Sequence, residues 1–158
     1  MGEIEIVSSC PYLVYVVSAT RGALPMENVE EVLRFREPTP FQARHPSVRG
    51  LMRLRGSTCP VVDLGHVLTG DSCRAPRRII SLVVEGRRVG LVVDEVERVI
   101  LLDPESFQAL PPLLRNPRGG ALAAFSESDA GFLSILSSAR ELTDGVWEGL
   151  EVDSEGAA

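Results

Sequence analysis

The side chains of this 158-residue sequence best suited to bond-making or metal chemistry are His45, His66, Cys10, Cys59, Cys73 and the acidic run Asp94, Glu95 and Glu97. Cys59, Asp63 and His66 lie close together in the chain. A thiol or imidazole oriented by a carboxylate is the arrangement of covalent catalysis, and the same three residue types can hold a cation. Here they follow one another along a strand-like run, where successive side chains point to opposite faces, and the spacing is not that of metal ligands. They read as a strand end followed by a surface histidine. Asp94, Glu95 and Glu97 sit in an apolar extended segment and read as its solvated face rather than as a carboxylate site.

The remaining signals also argue against catalysis. The three cysteines are odd in number, widely spaced and outside any Cys-x-x-Cys pattern, which disfavours a disulfide framework or a four-cysteine zinc site and fits a reducing cytoplasm. There is no Gly-x-Ser-x-Gly elbow, no P-loop and no His-Glu-x-x-His. The expectation is a protein that is no enzyme and uses no metal or cofactor. A small all-β hydrolase relying on Cys59 or His66 is the remote alternative.

The elements that must position any site are short strands. Tyr12–Val17, Cys59–Leu64, Ile79–Val84 and Val89–Val93 are short apolar runs rich in β-branched residues, and Val29–Arg34 and Val48–Leu54 continue the extended pattern between them. Gly22 with Pro25 punctuates the chain after the first run, and Pro38, Pro40 and Pro46 mark a loop, because proline lacks the amide donor that a central strand needs. Glu85-Gly86-Arg87-Arg88 between two of the runs is the strongest hairpin signal, and Arg55-Gly56 is a turn pair. The run 59–64 ends in a brief helix, and Val96–Leu102 either extends the strand before it or begins another. Pro104, Pro111, Pro112 and Pro117 punctuate the next stretch, Ala121–Phe125 and Phe132–Leu136 are the last strand candidates, and Ser138–Leu142 suits a helical turn. Many short strands at turn-punctuated spacing point to small barrels with little helix.

Composition narrows the partners. With 22 acidic and 16 basic residues the net charge is −6, and every cation is an arginine, so nucleic-acid binding is not expected. No stretch approaches 18 uninterrupted apolar residues, so no membrane insertion is expected. The amino-terminal residues have neither a basic region nor a long apolar run, which reads as no secretory signal. Ile6 occupies the position where a myristoylation motif at Gly2 needs Ser or Thr.

Gly50-Leu51-Met52-Arg53-Leu54-Arg55-Gly56, followed by Ser57-Thr58-Cys59-Pro60-Val61-Val62-Asp63-Leu64, resembles the middle signature of CheW-like domains: a glycine, an Asn-Leu-Arg-Gly turn and a Pro-Val/Ile-Val/Ile-Asp-Leu strand. Tyr12-Leu13-Val14-Tyr15 resembles the family's first strand and Val29-Glu30-Glu31-Val32 its Val-x-Glu-Ile/Val motif. Val89-Gly90-Leu91-Val92-Val93-Asp94-Glu95-Val96 resembles its Val-Gly-Ile/Leu-Val-Val-Asp-x-Val block. The resemblance implies a mainly β fold of two interlocked five-stranded SH3-like barrels with few short helices. It implies a lead at 1–10, a CheW-like domain at 11–143 divided into sub-barrels near 70–77, and an acidic tail at 144–158. Two barrels of about 60 residues each are too small to stand comfortably alone, so a shared core suits them.

The same resemblance implies a non-catalytic adaptor of a bacterial chemosensory array, within two-component signalling. It would link the cytoplasmic tip of chemoreceptors (methyl-accepting chemotaxis proteins) to the regulatory domain of a CheA-type histidine kinase, with other CheW-like proteins as further partners. Carried over position by position, the receptor-binding residues are Val29, Glu31, Gly50, Arg55 and Gly56. An arginine fork on Glu31 would fix the loop against the strand, equally a brace of the barrel, and Gly56 would supply the turn conformation. Ser57 and Thr58 fall in the implied kinase-binding strand, where the family is more apolar. Gly22 stands where the family often has an aromatic, Arg53 replaces its asparagine, Gly65 replaces its arginine, and Ser134–Ser138 lacks the aspartate or asparagine that usually ends the last strand. These departures favour weaker kinase binding, and the alternative reading is a divergent CheW-like protein that binds receptor with little or no kinase contact. Far-UV circular dichroism is expected to show a β-dominated protein and metal analysis no stoichiometric zinc or iron; a mostly helical spectrum would remove the two-barrel fold.

Overall fold

A computed structural model describes residues 9–41, 46–103, 105, 108–109, 122–128, 131–136 and 146. His45, the prolines at 104, 111, 112 and 117, the helical turn expected at 138–142 and the expected tail apart from Val146 lie outside them. In chain order the strands are β1 (Cys10–Val17), β2 (Thr20–Pro25), β3 (Val29–Arg34), β4 (Val48–Leu54) and β5 (Ser57–Asp63), then helix α1 (Leu64–Thr69). They continue as β6 (Arg78–Val84), β7 (Arg87–Val93), β8 (Glu95–Leu102), the two-residue β9 (Gln108–Ala109), β10 (Leu122–Ser128) and β11 (Gly131–Leu136). The fold is mainly β, as the strand signals indicate.

Two sheets result. One has the order β3-β6-β7-β5-β4; the other runs β8-β1-β2-β11-β10, with the short β9 at its edge. Most neighbours are antiparallel, but β5–β7 and β2–β11 are parallel pairs. Three hairpins close through two-residue turns with positive φ at both positions: Ser18-Ala19 (48° and 65°), Arg55-Gly56 (47° and 79°) and Glu85-Gly86 (51° and 78°). That geometry matches the right-handed twist of the strands it joins.

The Gly22 to Pro25 segment is strand, not punctuation. Gly22 lies opposite Tyr15 in the β1–β2 register, and a Cβ there would run into the Tyr15 ring. The glycine makes room for the fully buried Tyr15 side chain, so it serves the sheet rather than interrupting it. Val96–Leu102 begins a new strand. Asp94 turns the chain out of β7: its amide donates to Val16 O at 3.0 Å and its carboxylate accepts the Ser18 amide at 2.8 Å. From there β8 pairs with β1 in the other sheet. The 70–77 segment connects α1 to β6 within the five-stranded sheet, and the chain changes sheets between β2 and β3 and again between β7 and β8.

β1 is buried on both faces. Leu13, Tyr15 and Val17 join the larger core, which includes Leu54, Val61, Ile79, Leu82, Leu91 and Val93 of the five-stranded sheet. Tyr12 and Val14 point the other way, into a second core with Ala23, Leu133 and Ile135. Its neighbours divide likewise, Leu24 and Leu136 facing the larger core while Ala23 and Ile135 face the smaller. Full burial of such a side chain is worth about 1.5–3 kcal/mol.

The Tyr15 hydroxyl is buried without a hydrogen-bond partner among the described residues, and burial pushes its pKa upward. Removing an unsatisfied buried hydroxyl is close to neutral or stabilising, so Tyr15→Phe is expected to melt no lower than the parent. Gly22→Ala overpacks the same spot, at a cost of about 1–3 kcal/mol, and Tyr15→Phe should recover part of that loss. Thermal melts of the two single variants and the double variant check this; a Gly22→Ala protein as stable as the parent would refute the crowding.

Candidate interaction site

Two closures bend the five-stranded sheet so that its edge strands β3 and β4 meet. Beyond β3 the chain turns back and Thr39 exchanges two backbone hydrogen bonds with Leu51 of β4, both 2.8 Å. Gly50 permits this approach, since a Cβ there would strike the Thr39 carbonyl. At the other end of β4, Arg55 in the β4–β5 turn reaches β3. Its Nε lies 2.7 Å from Glu30 Oε1 and 3.2 Å from Glu31 Oε1.

Consecutive strand residues ordinarily face opposite sides of a sheet. Glu30 and Glu31 share one guanidinium because the β3–β6 ladder carries a bulge between Val29 and Glu31, which leaves an extra residue and re-aims its neighbours. Glu30 is held in turn by Arg88 at the start of β7: Arg88 Nε donates to Glu30 Oε2 at 2.9 Å and Arg88 Nη2 to Oε1 at 3.1 Å. Two arginines and two glutamates thus form a neutral cluster across the seam. Hydrogen bonding from Arg88, aided by the charges of Arg88 and Arg55, holds the Glu30 carboxyl below its ordinary range. Glu31 and then Glu30 hold the Arg55 guanidinium above its ordinary value.

Of the five expected receptor-binding residues, Glu31, Arg55 and Gly56 come together here. The expected fork on Glu31 is a single contact through Nε, and the two-pronged pair is Arg88 with Glu30. Val29 packs its side chain against the larger core. Gly50 sits four residues before the end of β4, about 13 Å away along the strand, under Thr39. Ser57 and Thr58 follow the turn and are exposed beside Arg53 and Arg55. Glu30 and Arg88 were not among the expected residues; the only trace of them in the sequence is the doubled glutamate of β3 and the doubled arginine after Gly86.

The Cys59, Asp63 and His66 grouping is not assembled. The buried Asp63 caps α1 by accepting the His66 amide at 3.1 Å, accepts the Cys73 amide at 3.1 and 3.2 Å, and pairs with Arg49 Nη1 at 3.1 Å. The His66 ring instead meets Ser47 Oγ through Nδ1 at 3.1 Å. Cys59 donates to Ser57 O within its own strand at 3.3 Å, and burial pushes its thiol up. Burial, then the Asp63 charge, push Cys73 up to about 12, which leaves it a protonated packing group. The acidic run is likewise occupied: Glu97 pairs with Arg21 at 2.7 Å and Glu95 with Arg78 at 3.4 Å. Among the described residues, no cluster of three His, Cys, Asp or Glu side chains is placed to hold a metal ion.

What the geometry offers is a closed sheet with an exposed, anchored arginine turn at one corner. The model of the CheW-like domain matches residues 11–144. The chain belongs to the CheW-like domain family. It is similar to the chemotaxis protein CheW of Bacillus subtilis (strain 168), with 23% identity over 134 residues, 84% of this chain and 86% of that protein. Its fold is similar to the crystal structure of the scaffolding protein TtCheW from Thermoanaerobacter tengcongensis, with a TM-score of 0.69 and 25% identity over 82% of this chain and 90% of that one. CheW-like proteins are non-catalytic chemotaxis coupling and scaffold proteins, and the two-sheet architecture here is that of the CheW fold.

The lowered Glu30 pKa has a sign. The cluster's contribution to stability is fully present above the ordinary carboxylate value of 4.5 and is lost as pH falls through the lowered folded value. Melting temperature recorded from pH 7 downward should therefore fall below about pH 4.5, and Glu30→Gln should flatten that fall. An unchanged acid limb in Glu30→Gln would show that Glu30 is not a source of it.

Proposed function

We propose that this CheW-like protein is a cytoplasmic adaptor of a chemosensory array, joining the cytoplasmic tip of a chemoreceptor to the regulatory domain of a CheA-type histidine kinase. The reading rests on one observation above the rest. Arg55 is 57% exposed in the β4–β5 turn, yet its Nε is tied to Glu30 and Glu31. An arginine so placed meets a partner with its direction already set, which lowers the ordering cost of binding. Arg55, Glu31 and Gly56 form the receptor contact in this reading, with Val29 and Gly50 supporting it from below through the core and the seam. Residues 11–143 are the functional unit, array localisation follows from the receptor contact, and other CheW-like proteins are further neighbours.

The exposed Ser57 and Thr58 favour a second reading, an adaptor that engages receptor but holds the kinase weakly. Protein interfaces depend on a few buried anchors, and loss of one commonly costs more than about 1 kcal/mol. Two polar side chains at the start of β5 offer no such anchor.

Arg55→Ala is expected to stay folded and to weaken co-sedimentation with a chemoreceptor, and undiminished binding would remove Arg55 from the contact. Titration of the cognate kinase regulatory domain should show weak binding that Ser57→Val/Thr58→Ile strengthens. Tight binding by the parent, unimproved by the two substitutions, would restore the fully coupling adaptor.

A further inference from the structure

Arg88 stands apart from the residues expected to touch a partner. It begins β7, its side chain is 21% exposed, and its Nε and Nη2 both donate to Glu30, with the Cys59 thiol also beside the guanidinium. Glu30, 15% exposed, gives its Oε2 to Arg88 and lets its Oε1 serve Arg88 and Arg55 together. Glu30 is the extra residue of a bulge, so the ladder alone does not fix where its carboxylate points. A two-pronged arginine contact does fix it, since the planar fork admits one orientation of the carboxylate.

The consequence passes to Arg55. Its contacts with the two glutamates run through Nε, and its terminal nitrogens Nη1 and Nη2 make no hydrogen bond to a described residue. The guanidinium is thus anchored through Nε, and among the described residues its Nη pair is left for an oxygen acceptor. From this we infer that Arg88 is a positioning residue: acting through Glu30, it sets the direction in which Arg55 presents its free Nη pair to a carboxylate or carbonyl of the receptor. The inference rests on the proposed Arg55 receptor contact and adds two residues, Glu30 and Arg88, that need not touch the receptor.

The test is a double-mutant cycle on the full chain, read as calorimetric affinity for a soluble cytoplasmic-tip fragment of a chemoreceptor from the same organism. Thermal melts confirm that each variant is folded. Arg55→Ala is expected to weaken binding about tenfold and Arg88→Ala about threefold, with the double variant no weaker than Arg55→Ala alone, because coupled residues are not additive. Arg88→Lys keeps the charge but loses the fork and should not restore affinity. Glu30→Gln nearly preserves the side chain's volume while removing its charge, and should reproduce the Arg88→Ala loss, which keeps the test open should Arg88→Ala unfold. Weak binding by Arg55→Ala beside parental binding by Arg88→Ala and Glu30→Gln overturns the inference and leaves the receptor contact standing. An Arg88→Ala loss that adds in full to that of Arg55→Ala also overturns it, in favour of direct contact. Parental binding by Arg55→Ala removes the receptor contact itself, and the positioning role with it.

Discussion

A single strand, β1, is packed on both faces, and the fold depends on that double burial. Leu13, Tyr15 and Val17 face one core while Tyr12 and Val14 face the other, so neither sheet has an apolar face of its own to spare. A strand in this position cannot alternate apolar and polar residues, which is why Tyr12 to Val17 contains no polar-to-apolar rhythm at all. The crowding this imposes is absorbed by Gly22, whose missing side chain accommodates Tyr15. Asp94 completes the join, accepting the Ser18 amide of the β1–β2 turn at 2.8 Å directly after β7 ends.

That join leaves the five-stranded sheet free to close on its own seam. Backbone hydrogen bonds at Thr39 and Leu51 hold one end, and the four-residue ion cluster around Arg55 holds the other. The two ends differ in kind. Backbone pairing over Gly50 tolerates no side chain, whereas the ion cluster is half-exposed and acts chiefly by orienting groups, because exposed ion pairs add little stability. Stability and presentation are thereby separated along one seam. Asp63 performs a third fastening from within, capping α1 and pinning the Cys73 amide, so that the 70–77 segment lies against the sheet it interrupts.

The strands with long β-branched runs were legible in the sequence, as were the Arg55-Gly56 turn and the hairpin at Glu85-Gly86, because period and turn chemistry are local properties. β2 was not, since Gly22 and Pro25 signal a turn unless Tyr15 is known to lie opposite. The partnership of Glu31 with Arg55 followed from the family resemblance. Glu30 and Arg88 could not be found that way: alternation puts Glu30 on the face opposite Glu31, and the bulge that reverses this exists only once β3 is paired with β6. Asp63 read as part of a strand end rather than of a reactive trio, but its role as an acceptor was not legible, because it is set by the Cys73 amide, ten residues further along the chain.

The order of strands carries a consequence for how the chain is made. The five-stranded sheet is built wholly from residues 29–93, whereas the other sheet draws on residues 10–25 and then waits for 95–136. One unit is inserted into the other. As the chain leaves the ribosome, every strand of the inner sheet has emerged while β1 and β2 still lack β8 on one side and β11 on the other. The parallel contact of Gly22 with Ser134 closes a loop over most of the chain, and contacts so distant in sequence form slowly. The edges of the amino-terminal hairpin therefore cannot be completed until β8 and β11 have been made.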